Sequence, residues 1–416
     1  MQFQNSDPIG NDNHMKRILF FSLTYHPFIG GAEVAIKETT DRISPEDYAF
    51  DMITLRFDSA LPRFERVGNI DIFRIGFTRK GAKIQDFKKF PLVLNKYLYP
   101  FWALAAAAVL HRRKRYDAVA SVMTSYASFA PLFFKYLFPS VPYIVRADDG
   151  DPIEYLKKRV GLLSPLFKRV FTKADFAITS SSHLERFVRS MGYRGPLAIV
   201  PNGVDAARFS QEYAPADLDA LKRTLGKQEG EAYLITTSRL VTKNAVDDVI
   251  RALPMLPTEV TFLILGVGPD EAMLRALARE LGVEDRVIFA GQVSHAEMPK
   301  YLKVSDIFIR PSRSEGFGIS FIEAMAAELP VIATQEGGIA DFLYDAKRNP
   351  DKAATGWAVD KDSPEQIAAA VRDILAHPEQ AARVKATAKA MALEKYDWGL
   401  VAGLMKTVFD RVLSKG

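Results

Sequence analysis

Cysteine is missing from this sequence of 416 residues. Its absence excludes a disulfide framework, a thiolate nucleophile and a thiolate zinc site, and it fits a reducing compartment. Runs of about 18 uncharged apolar residues are also missing, which predicts that no helix spans a membrane. Residues 1–14, ahead of the first strand, read as a loose tail without the apolar core of a secretion signal. We therefore expect a cytoplasmic protein.

Acidic residues are scarce in one segment, residues 79–115. The chain has a net charge of +5, with 29 basic and 20 acidic residues in 1–205 but 26 and 30 in the remainder. The segment contains a single acidic residue, Asp86, and ten basic ones: Arg79, Lys80, Lys83, Lys88, Lys89, Lys96, Arg112, Arg113, Lys114 and Arg115. The aromatic residues among them are Phe87, Phe90, Tyr97, Tyr99, Phe101 and Trp102.

Cations beside apolar anchors predict contact between this segment and an anionic membrane surface. The alternative is a solvated basic face over buried aromatic residues. Nucleic acid is not expected as a partner. The first interpretation extends the expected location to peripheral attachment on the inner face of the membrane.

Short β-rich runs alternate with helical stretches along the chain, a pattern typical of parallel sheets covered by helices on both faces. Several runs are almost continuously apolar, as buried parallel strands are. The predicted strands are residues 17–23, 50–55, 70–75, 117–123, 142–147, 176–181, 197–202, 233–238, 260–266, 287–291, 307–312 and 330–335. We predict an α/β fold of two doubly wound halves. The boundary is placed near Asp205, ahead of a polar stretch at 211–233.

A final helix is predicted from about Trp398 to Leu413. Its apolar residues at helical spacing are Leu400, Leu404, Val408 and Val412. Ligands of open α/β sheets bind beyond the carboxyl ends of the strands. With two such domains, the cleft between them is the expected site.

Gly30 and Gly31 precede a helical run in the first half. Glycines let the backbone approach a ligand closely, and the N–H groups of a helix N-terminus favour an anion. A plain tight turn explains two glycines at least as well.

Two carboxylates flank a predicted helix N-terminus in the second half. Glu315 lies on the loop and Glu323 early in the helix, eight residues later. The backbone N–H groups of Gly318, Ile319 and Ser320 would lie between them. This arrangement suits a diphosphate on the helix end, with sugar hydroxyls donating to the carboxylates on either side.

Arg239 ends a predicted strand, and Lys243 follows four residues later. Two cations beside a diphosphate would offset the charge of a departing nucleotide without a metal. Alone, such a pair is usually only a pair of surface charges.

Taken in order, these loops resemble the retaining nucleotide-sugar glycosyltransferases of glycosyltransferase family 4, which have the GT-B fold. The matching stretches are GGAE (30–33), PNGVD (201–205), SRLVTKN (238–244), LGVG (265–268), FAGQV (289–293), SDIFIRPSRSEGFGISFIEAMA (305–326) and PVIATQEGGIAD (330–341). The resemblance spans roughly residues 16–410 and is stronger in the second half. It implies two Rossmann-like domains that face a central cleft.

The resemblance implies roles for the phosphate-binding residues. Arg239 and Lys243 match the cations that hold the donor diphosphate. Gly318 and Ile319 match the backbone amides on that diphosphate. Gly31 matches the glycine that closes onto the phosphates from the first domain, and the adjacent Gly30 is expected to contribute there.

It also implies roles around the nucleoside and the sugar. Glu323 matches the carboxylate on the ribose hydroxyls, and Glu315 matches the one that faces the donor sugar. Gln292 and Val293 match the segment beside the base. Residues 396–398 and the final helix resemble the stretch that crosses back to the first domain.

The sequence departs from the family pattern in two places. Many members carry a histidine after the strand that here continues into Arg146, Asp148, Asp149 and Asp151, so an acceptor-side catalytic role passes to Asp148 or Asp149. The glycine common after the lysine is Asn244 here, a residue that also accepts a left-handed conformation.

The resemblance implies a retaining transfer of a sugar from a nucleoside diphosphate to an acceptor hydroxyl, in polysaccharide or lipid glycosylation. No metal and no further cofactor are expected. The expected divisions are an acceptor-side domain at 15–205, a donor domain at 206–395 and the returning helix at 396–416. The catalytic candidates are Arg239, Lys243, Glu315 and Asp148.

Other site chemistries have less support. Asp149 and Asp151 form an Asp-x-Asp pair, as in metal-dependent glycosyltransferases of another fold, but a polar loop explains them better. Dinucleotide binding requires G-x-G-x-x-G, and Glu271 occupies the third glycine position after Gly266 and Gly268.

A sugar-nucleotide epimerase, a phosphorylase with a pyridoxal lysine, or a non-catalytic sugar-nucleotide binder would also use a two-domain cleft. None of these alternatives explains the run from Glu315 to Glu323 as well as a glycosyltransferase does.

Overall fold

The computed structural model describes residues 15–28, 30–151 and 161–414. The tail predicted at 1–14 lies outside the described residues. Within them, the chain folds into two α/β domains, each built on its own sheet.

The first sheet has eight strands in the order β3-β4-β2-β1-β5-β6-β7-β8. They are β1 (Lys16–Phe21), β2 (Tyr48–Leu55), β3 (Phe64–Val67), β4 (Ile70–Ile75), β5 (Ala118–Ser121), β6 (Tyr143–Ala147), β7 (Phe176–Thr179) and β8 (Leu197–Ile199). Neighbouring strands are parallel, except that β3 runs antiparallel to β4. Ile18 and Leu19, on opposite faces of β1, are both fully buried, so helices cover both faces.

The first-domain helices are α1 (Gly31–Asp41), α2 (Val93–Lys114), α3 (Phe129–Leu137), α4 (Ser164–Thr172) and α5 (Ser182–Ser190). They connect parallel strands, so the carboxyl ends of those strands and the following loops share one edge of the sheet.

The second sheet has six parallel strands in the order β11-β10-β9-β12-β13-β14. They are β9 (Ala232–Thr237), β10 (Val260–Leu265), β11 (Val287–Gly291), β12 (Ile307–Arg310), β13 (Val331–Ala333) and β14 (Trp357–Ala358). The later helices are α6 (Ala206–Ser210), α7 (Pro215–Leu225), α8 (Val246–Ala252), α9 (Glu271–Glu280), α10 (Met298–Lys303), α11 (Ile319–Ala326), α12 (Pro364–Ala376), α13 (Pro378–Tyr396) and α14 (Trp398–Leu413).

All twelve predicted strands are present within a few residues of their expected bounds. Two strands were not predicted. The edge strand β3 has no apolar run and joins β4 through a tight turn in which Gly68 has a φ of 55°. The second, β14, is only two residues long, too short for a pattern of hydrophobic residues to show.

The final helix returns to the first domain, as predicted. At the crossover, the Val204 N–H donates to the Tyr396 carbonyl at 2.7 Å, and the Trp398 N–H donates to the Val204 carbonyl at 3.1 Å. In α14, Phe409 packs against Phe20 and Phe50 of the first sheet.

The four apolar residues that predict α14 do not all lie on its packed face. Leu400 and Leu404 are about half exposed, whereas Val408 and Val412 are buried. The face that packs on the sheet is instead completed by Val401 and Met405. Spacing alone did not separate these two adjacent apolar lines of one helix.

The prediction that no helix spans a membrane stays a prediction, because one described helix has the length and composition of a span. Helix α2 has 22 residues and a window of mean hydropathy 1.3, of which only 28% is buried. By length and composition it passes for a span, a weak criterion that core helices of soluble proteins also meet. The sequence criterion missed it because it required an uninterrupted uncharged run.

Helix α2 exposes one apolar line. Tyr97, Phe101, Ala105 and Val109, spaced four apart, are exposed, and Arg113 continues the line. Tyr99, another aromatic residue of the basic segment, is instead fully buried and donates its hydroxyl to the Ile53 carbonyl at 2.7 Å.

Candidate active site

The N-terminus of α11 forms the base of the cleft. Gly318 precedes it with a φ of 95°, and a Cβ there would lie 2.5 Å from the Phe321 ring. Only glycine therefore fits this turn. The first-turn amides, including those of Ile319 and Ser320, have no carbonyl partner within the helix, which makes this end a place for an anion.

A second pair of glycines, which sequence reasoning did not assign, supports this loop. The Gly338 N–H donates to the Glu315 carbonyl at 3.1 Å. A Cβ on Gly337 would lie 1.9 Å from the Glu315 oxygen, and one on Gly338 would lie 2.0 Å from the Gly316 oxygen. The signal was present in the sequence as GG at 337–338.

Glu315 is held by a buried cation. Arg310, at the end of β12, donates to Glu315 Oε2 at 2.5 Å and to the Ser320 hydroxyl at 2.8 Å. Its guanidinium also lies over the Phe321 ring at 4.3 Å. Burial lowers the pKa of Arg310, and Glu315 opposes that shift. Arg310 was not singled out in the sequence because it occupies a predicted strand.

Glu323 points to a histidine that the sequence did not single out. Its Oε1 lies 2.7 Å from His295 Nε2, and its side chain is only 7% exposed. The Arg208 guanidinium lies 2.9 Å from His295 Nδ1. The hydrogen bond to Glu323 raises the pKa of His295, while burial and Arg208 oppose it.

The two predicted cations differ in their surroundings. Arg239 is exposed, and its side chain makes no hydrogen bond or ion pair to another described residue. Lys243 reaches across the cleft: its Nζ donates to the Gly150 carbonyl at 2.8 Å and lies 3.2 Å from Asp151 Oδ1. Both belong to the loop after β9.

Arg313 fixes the loop that carries Lys243. Its backbone N–H donates to the Lys243 carbonyl at 2.7 Å, and its guanidinium donates to the Thr242 carbonyl at 2.6 Å. Asp247 and Asp248 pair with the same guanidinium. Burial raises the pKa of Asp248 to about 6, and Arg313 opposes that shift.

Asn244 does not adopt the left-handed conformation considered for it. It lies in a 3-10 turn and donates to the Arg239 carbonyl at 2.6 Å. The left-handed residue is the next one, Ala245, with a φ of 54°. The buried Asn244 side chain therefore holds the loop after β9 that carries Arg239 and Lys243, here called the cation loop.

The first-domain glycines lie at the N-terminus of α1. The Gly30 N–H donates to Glu33 Oε2 at 3.0 Å, so this amide already has a partner within its own loop. Gly31 faces the other domain, where a Cβ would lie 3.7 Å from the Ile319 side chain. The structure thus brings Gly31 to the end of α11.

Asp148 and Asp149, which follow β6, are both held by residues of the first domain. Asp148 pairs with Arg146, while its Oδ1 is buried without a partner among the described residues. Asp149 Oδ2 accepts the Thr124 N–H at 2.8 Å and the Thr124 hydroxyl, and burial raises the pKa of Asp149. An acceptor-side role for Asp148 stays a prediction.

The Asp-x-Asp pair does not converge, because Asp149 contacts Thr124 and Asp151 contacts Lys243. Within 15–28, 30–151 and 161–414, no group of three or more histidines and carboxylates is placed to hold a metal.

Serines after β7 join the two domains. Ser181 caps the next helix by accepting the Leu184 N–H at 3.3 Å, and its hydroxyl donates to the Gly316 carbonyl at 2.7 Å. The Ser182 N–H donates to Asp341 Oδ2 at 2.7 Å. The cleft is therefore closed around the loop at 315–318.

Gln292 and Val293 follow β11 at the same edge of the second sheet. Gln292 is exposed, and Val293 is half-buried against the core of the second domain. Their position ahead of His295 places them beside the Glu323 side of the cleft.

Two family models match this chain. Residues 29–208 match the model described as Glycosyltransferase Family 4. Residues 217–391 match the model described as Glycosyl transferases group 1. Together they span both domains.

Among curated relatives, a GDP-mannose-dependent alpha-(1-6)-phosphatidylinositol monomannoside mannosyltransferase of Mycolicibacterium smegmatis is 31% identical over 242 residues, which cover 56% of this chain and 61% of the relative. The chain thus spans about three fifths of that relative's length. An alpha-monoglucosyldiacylglycerol synthase of Streptococcus pneumoniae is 23% identical over 76% of this chain and 70% of that protein.

Two solved structures share the fold. Sucrose-phosphate synthase from Thermosynechococcus elongatus superposes with a TM-score of 0.77 at 19% identity, covering 96% of this chain and 100% of that one. Anabaena HepE in complex with UDP and glucose gives a TM-score of 0.74 at 18% identity, covering 95% and 100%. Both likenesses are to the two-domain GT-B architecture.

Proposed function

Because the chain belongs to glycosyltransferase family 4 and has the GT-B fold, we propose that it transfers a sugar from a nucleoside diphosphate to an acceptor hydroxyl with retention of configuration. The observation that carries this proposal is the group of amides, carboxylates and cations at the N-terminus of α11. The amides of Ile319 and Ser320 lie between Glu315 and Glu323, with Arg239 and Lys243 on the neighbouring loop.

In this proposal the diphosphate binds the α11 N-terminus, where helix amides favour an anion. Arg239 and Lys243 neutralise the charge that develops as the sugar leaves. Lys243 must exchange its present contacts with Gly150 and Asp151 for the phosphate. Since the two cations supply positive charge, we propose that transfer requires no metal.

Retention is assigned to a front-face transfer. The departing β-phosphate takes the proton of the acceptor hydroxyl while the sugar passes through an oxocarbenium-like state. Glu315, held by Arg310, faces the sugar hydroxyls in this arrangement. Contacts across the closed cleft, such as Ser181 to Gly316, exclude water from the reacting centre.

A membrane-borne acceptor is the second part of the proposal. Helix α2 presents an apolar line, Tyr97 to Val109, which ends at Arg113. Phe90 is 80% exposed ahead of the helix, beside Lys88 and Lys89. Such a helix suits the interface of an anionic membrane. The relatives named for phosphatidylinositol mannoside and diacylglycerol acceptors support the same chemistry.

The proposal is tested in two steps. Thermal unfolding is first measured with GDP-, UDP- and ADP-sugars, since a ligand that binds only the folded state raises the transition temperature. The stabilising donor is then incubated with acceptor lipids, with and without excess chelator, and the anomeric configuration of the product is read by NMR. Loss of turnover in chelator would reject the metal-free mechanism, and an inverted product would reject retention.

A further inference from the structure

A histidine outside every role assigned so far touches the proposed ribose carboxylate. His295 lies on the loop after β11, and its Nε2 is 2.7 Å from Glu323 Oε1. Glu323 Oε2 accepts no hydrogen bond from another described residue and is not sealed from solvent. One carboxylate oxygen is therefore occupied and the other is available.

The ring of His295 is fixed from two further sides. Arg208 Nη1 lies 2.9 Å from His295 Nδ1, and Asp205 Oδ2 holds Arg208 Nη2 at 3.1 Å. The ring of the fully buried Phe209 lies 5.3 Å from the His295 ring, between centroids. All three residues belong to α6 or directly precede it, so one short helix sets the position of the histidine.

These contacts select one tautomer. A guanidinium only donates hydrogen bonds, so Nδ1 of His295 must accept the bond from Arg208. The ring proton then resides on Nε2 and is donated to Glu323. The opposite tautomer would turn a lone pair towards the carboxylate and an N–H towards the Arg208 cation, and both contacts would be repulsive.

We infer that His295 is a positioning residue of the donor site. It ties one oxygen of Glu323 so that the other faces the ribose hydroxyls, and Asp205 and Arg208 fix the tautomer that does so. The inference rests on the proposed function, because it takes Glu323 as the ribose carboxylate. It adds that nucleotide recognition depends on a chain of contacts from the domain boundary at Asp205 to α11.

The test compares nucleotides that differ only in ribose hydroxyls. Calorimetric affinities are measured for GDP, UDP and ADP, and the tightest binder is then compared with its 2′-deoxy and 3′-deoxy forms. A hydrogen bond to a charged group predicts a loss of roughly tenfold or more for a deoxy form with the unchanged protein. In His295→Phe, which keeps a ring against Phe209, the ratio of the affinities for the ribose and deoxy nucleotides should fall below about threefold.

Two variants separate positioning from a merely structural role. His295→Gln keeps an N–H donor near Nε2 and should recover most of the ratio. Arg208→Met leaves His295 and Glu323 in place but removes the donor to His295 Nδ1, so the tautomer is no longer fixed. The affinity ratio between the ribose and deoxy nucleotides should therefore decrease. The matched control is His377→Phe, since His377 is an exposed histidine bonded to the Asp373 carbonyl, and it should leave the ratio unchanged.

The outcomes are distinguishable. If His295→Phe and Arg208→Met both keep the full preference for ribose, the inference is overturned while the proposed function stands. If the unchanged protein binds none of the three nucleoside diphosphates, the proposed function fails, and the role of His295 at Glu323 fails with it.

Discussion

The two edges of the cleft differ in how the partners of their charged side chains are arranged. On the second domain, each of the two carboxylates assigned to the site has a partner that holds it: Arg310 for Glu315 and His295 for Glu323. On the first domain, the corresponding edge keeps Asp148 Oδ1 and Arg146 Nη1 buried without partners among the described residues. The two second-domain carboxylates are therefore preorganised by side chains of their own domain, whereas Arg146 and Asp148 pair with each other and keep buried atoms unpaired; Arg310 Nε and Ser312 Oγ are also unpaired among the described residues.

The exposed surface follows the same division. The first domain displays the apolar line of α2, including Phe101 at 60% exposure. The second domain shows only scattered exposed apolar residues such as Met273 and Leu375. Scattered apolar residues are normal on protein surfaces, whereas a continuous line indicates a partner.

The largest effect should come from the cation loop. Replacing Lys243 or Arg239 by alanine should lower turnover by roughly a hundredfold or more, because charge on the leaving diphosphate is then uncompensated. Steady-state kinetics measure this, with Lys222→Ala, an exposed lysine paired with Asp219, as the control. Near-normal turnover in both single variants would show that these two cations of the second-domain edge do not neutralise the leaving diphosphate.

A smaller effect should follow from weakening the support of Glu315. Arg310→Lys keeps the charge but cannot hold Glu315 and Ser320 together, because an ammonium lacks the guanidinium fork. We expect kcat to fall by roughly tenfold while the fold persists. The control is Arg372→Lys, an exposed arginine bonded to the Met255 carbonyl. A kcat equal to that of the control would show that the donor side does not need preorganised carboxylates.

The first-domain surface should respond to loss of its apolar line. The double change of Tyr97 and Phe101 to serine should reduce binding to anionic vesicles by roughly tenfold, since two exposed aromatic side chains can no longer insert into the membrane interface. Co-sedimentation measures this, and the matching change of Met273 and Leu375 to serine on the second domain provides the control. Equal binding by both double variants would argue that the line on α2 has no membrane partner.

The smallest effect concerns Asp248, which pairs with Arg313 beside the cation loop. The pKa of Asp248 rises from an ordinary 3.8 to about 6 in the fold. The folded state therefore holds a proton that the unfolded state releases, so stability falls as pH rises through this window. Asp248→Asn stays neutral, and its transition temperature relative to the unchanged protein should rise by about 2 °C between pH 5 and 7.5.

That shift is measured by calorimetry, with the exposed Asp219→Asn setting the baseline. A pH-independent difference would mean that Arg313 keeps Asp248 ionised throughout.

More residues of the donor side than of the acceptor side can be predicted from the sequence, and the reason is physical. Parallel strands and the glycine before a helix leave local signals, so neighbours in the chain are enough to predict Gly318, Glu315 and Glu323 as site residues. Their partners Arg310 and His295 were not, because each contact depends on how separate loops meet in the fold.

The acceptor side gave weaker signals. In the sequence, the aromatic residues of the basic segment form one set, but the fold buries Tyr99 and exposes Phe101, a division that depends on which face of α2 meets the sheet. Leu400 and Leu404 share helical spacing with the buried Val408 and Val412 but are about half exposed, since two apolar lines on one helix look alike in sequence.

The central claim is that the nucleotide diphosphate binds the N-terminus of α11. A crystal structure with the tightest nucleoside diphosphate tests it directly. We predict phosphate oxygens within hydrogen-bonding distance of the Ile319 and Ser320 amides and of Arg239 and Lys243, with the ribose on Glu323. A nucleotide seated elsewhere, or a Lys243 still bound to Gly150 and Asp151 with the nucleotide present, would contradict the account.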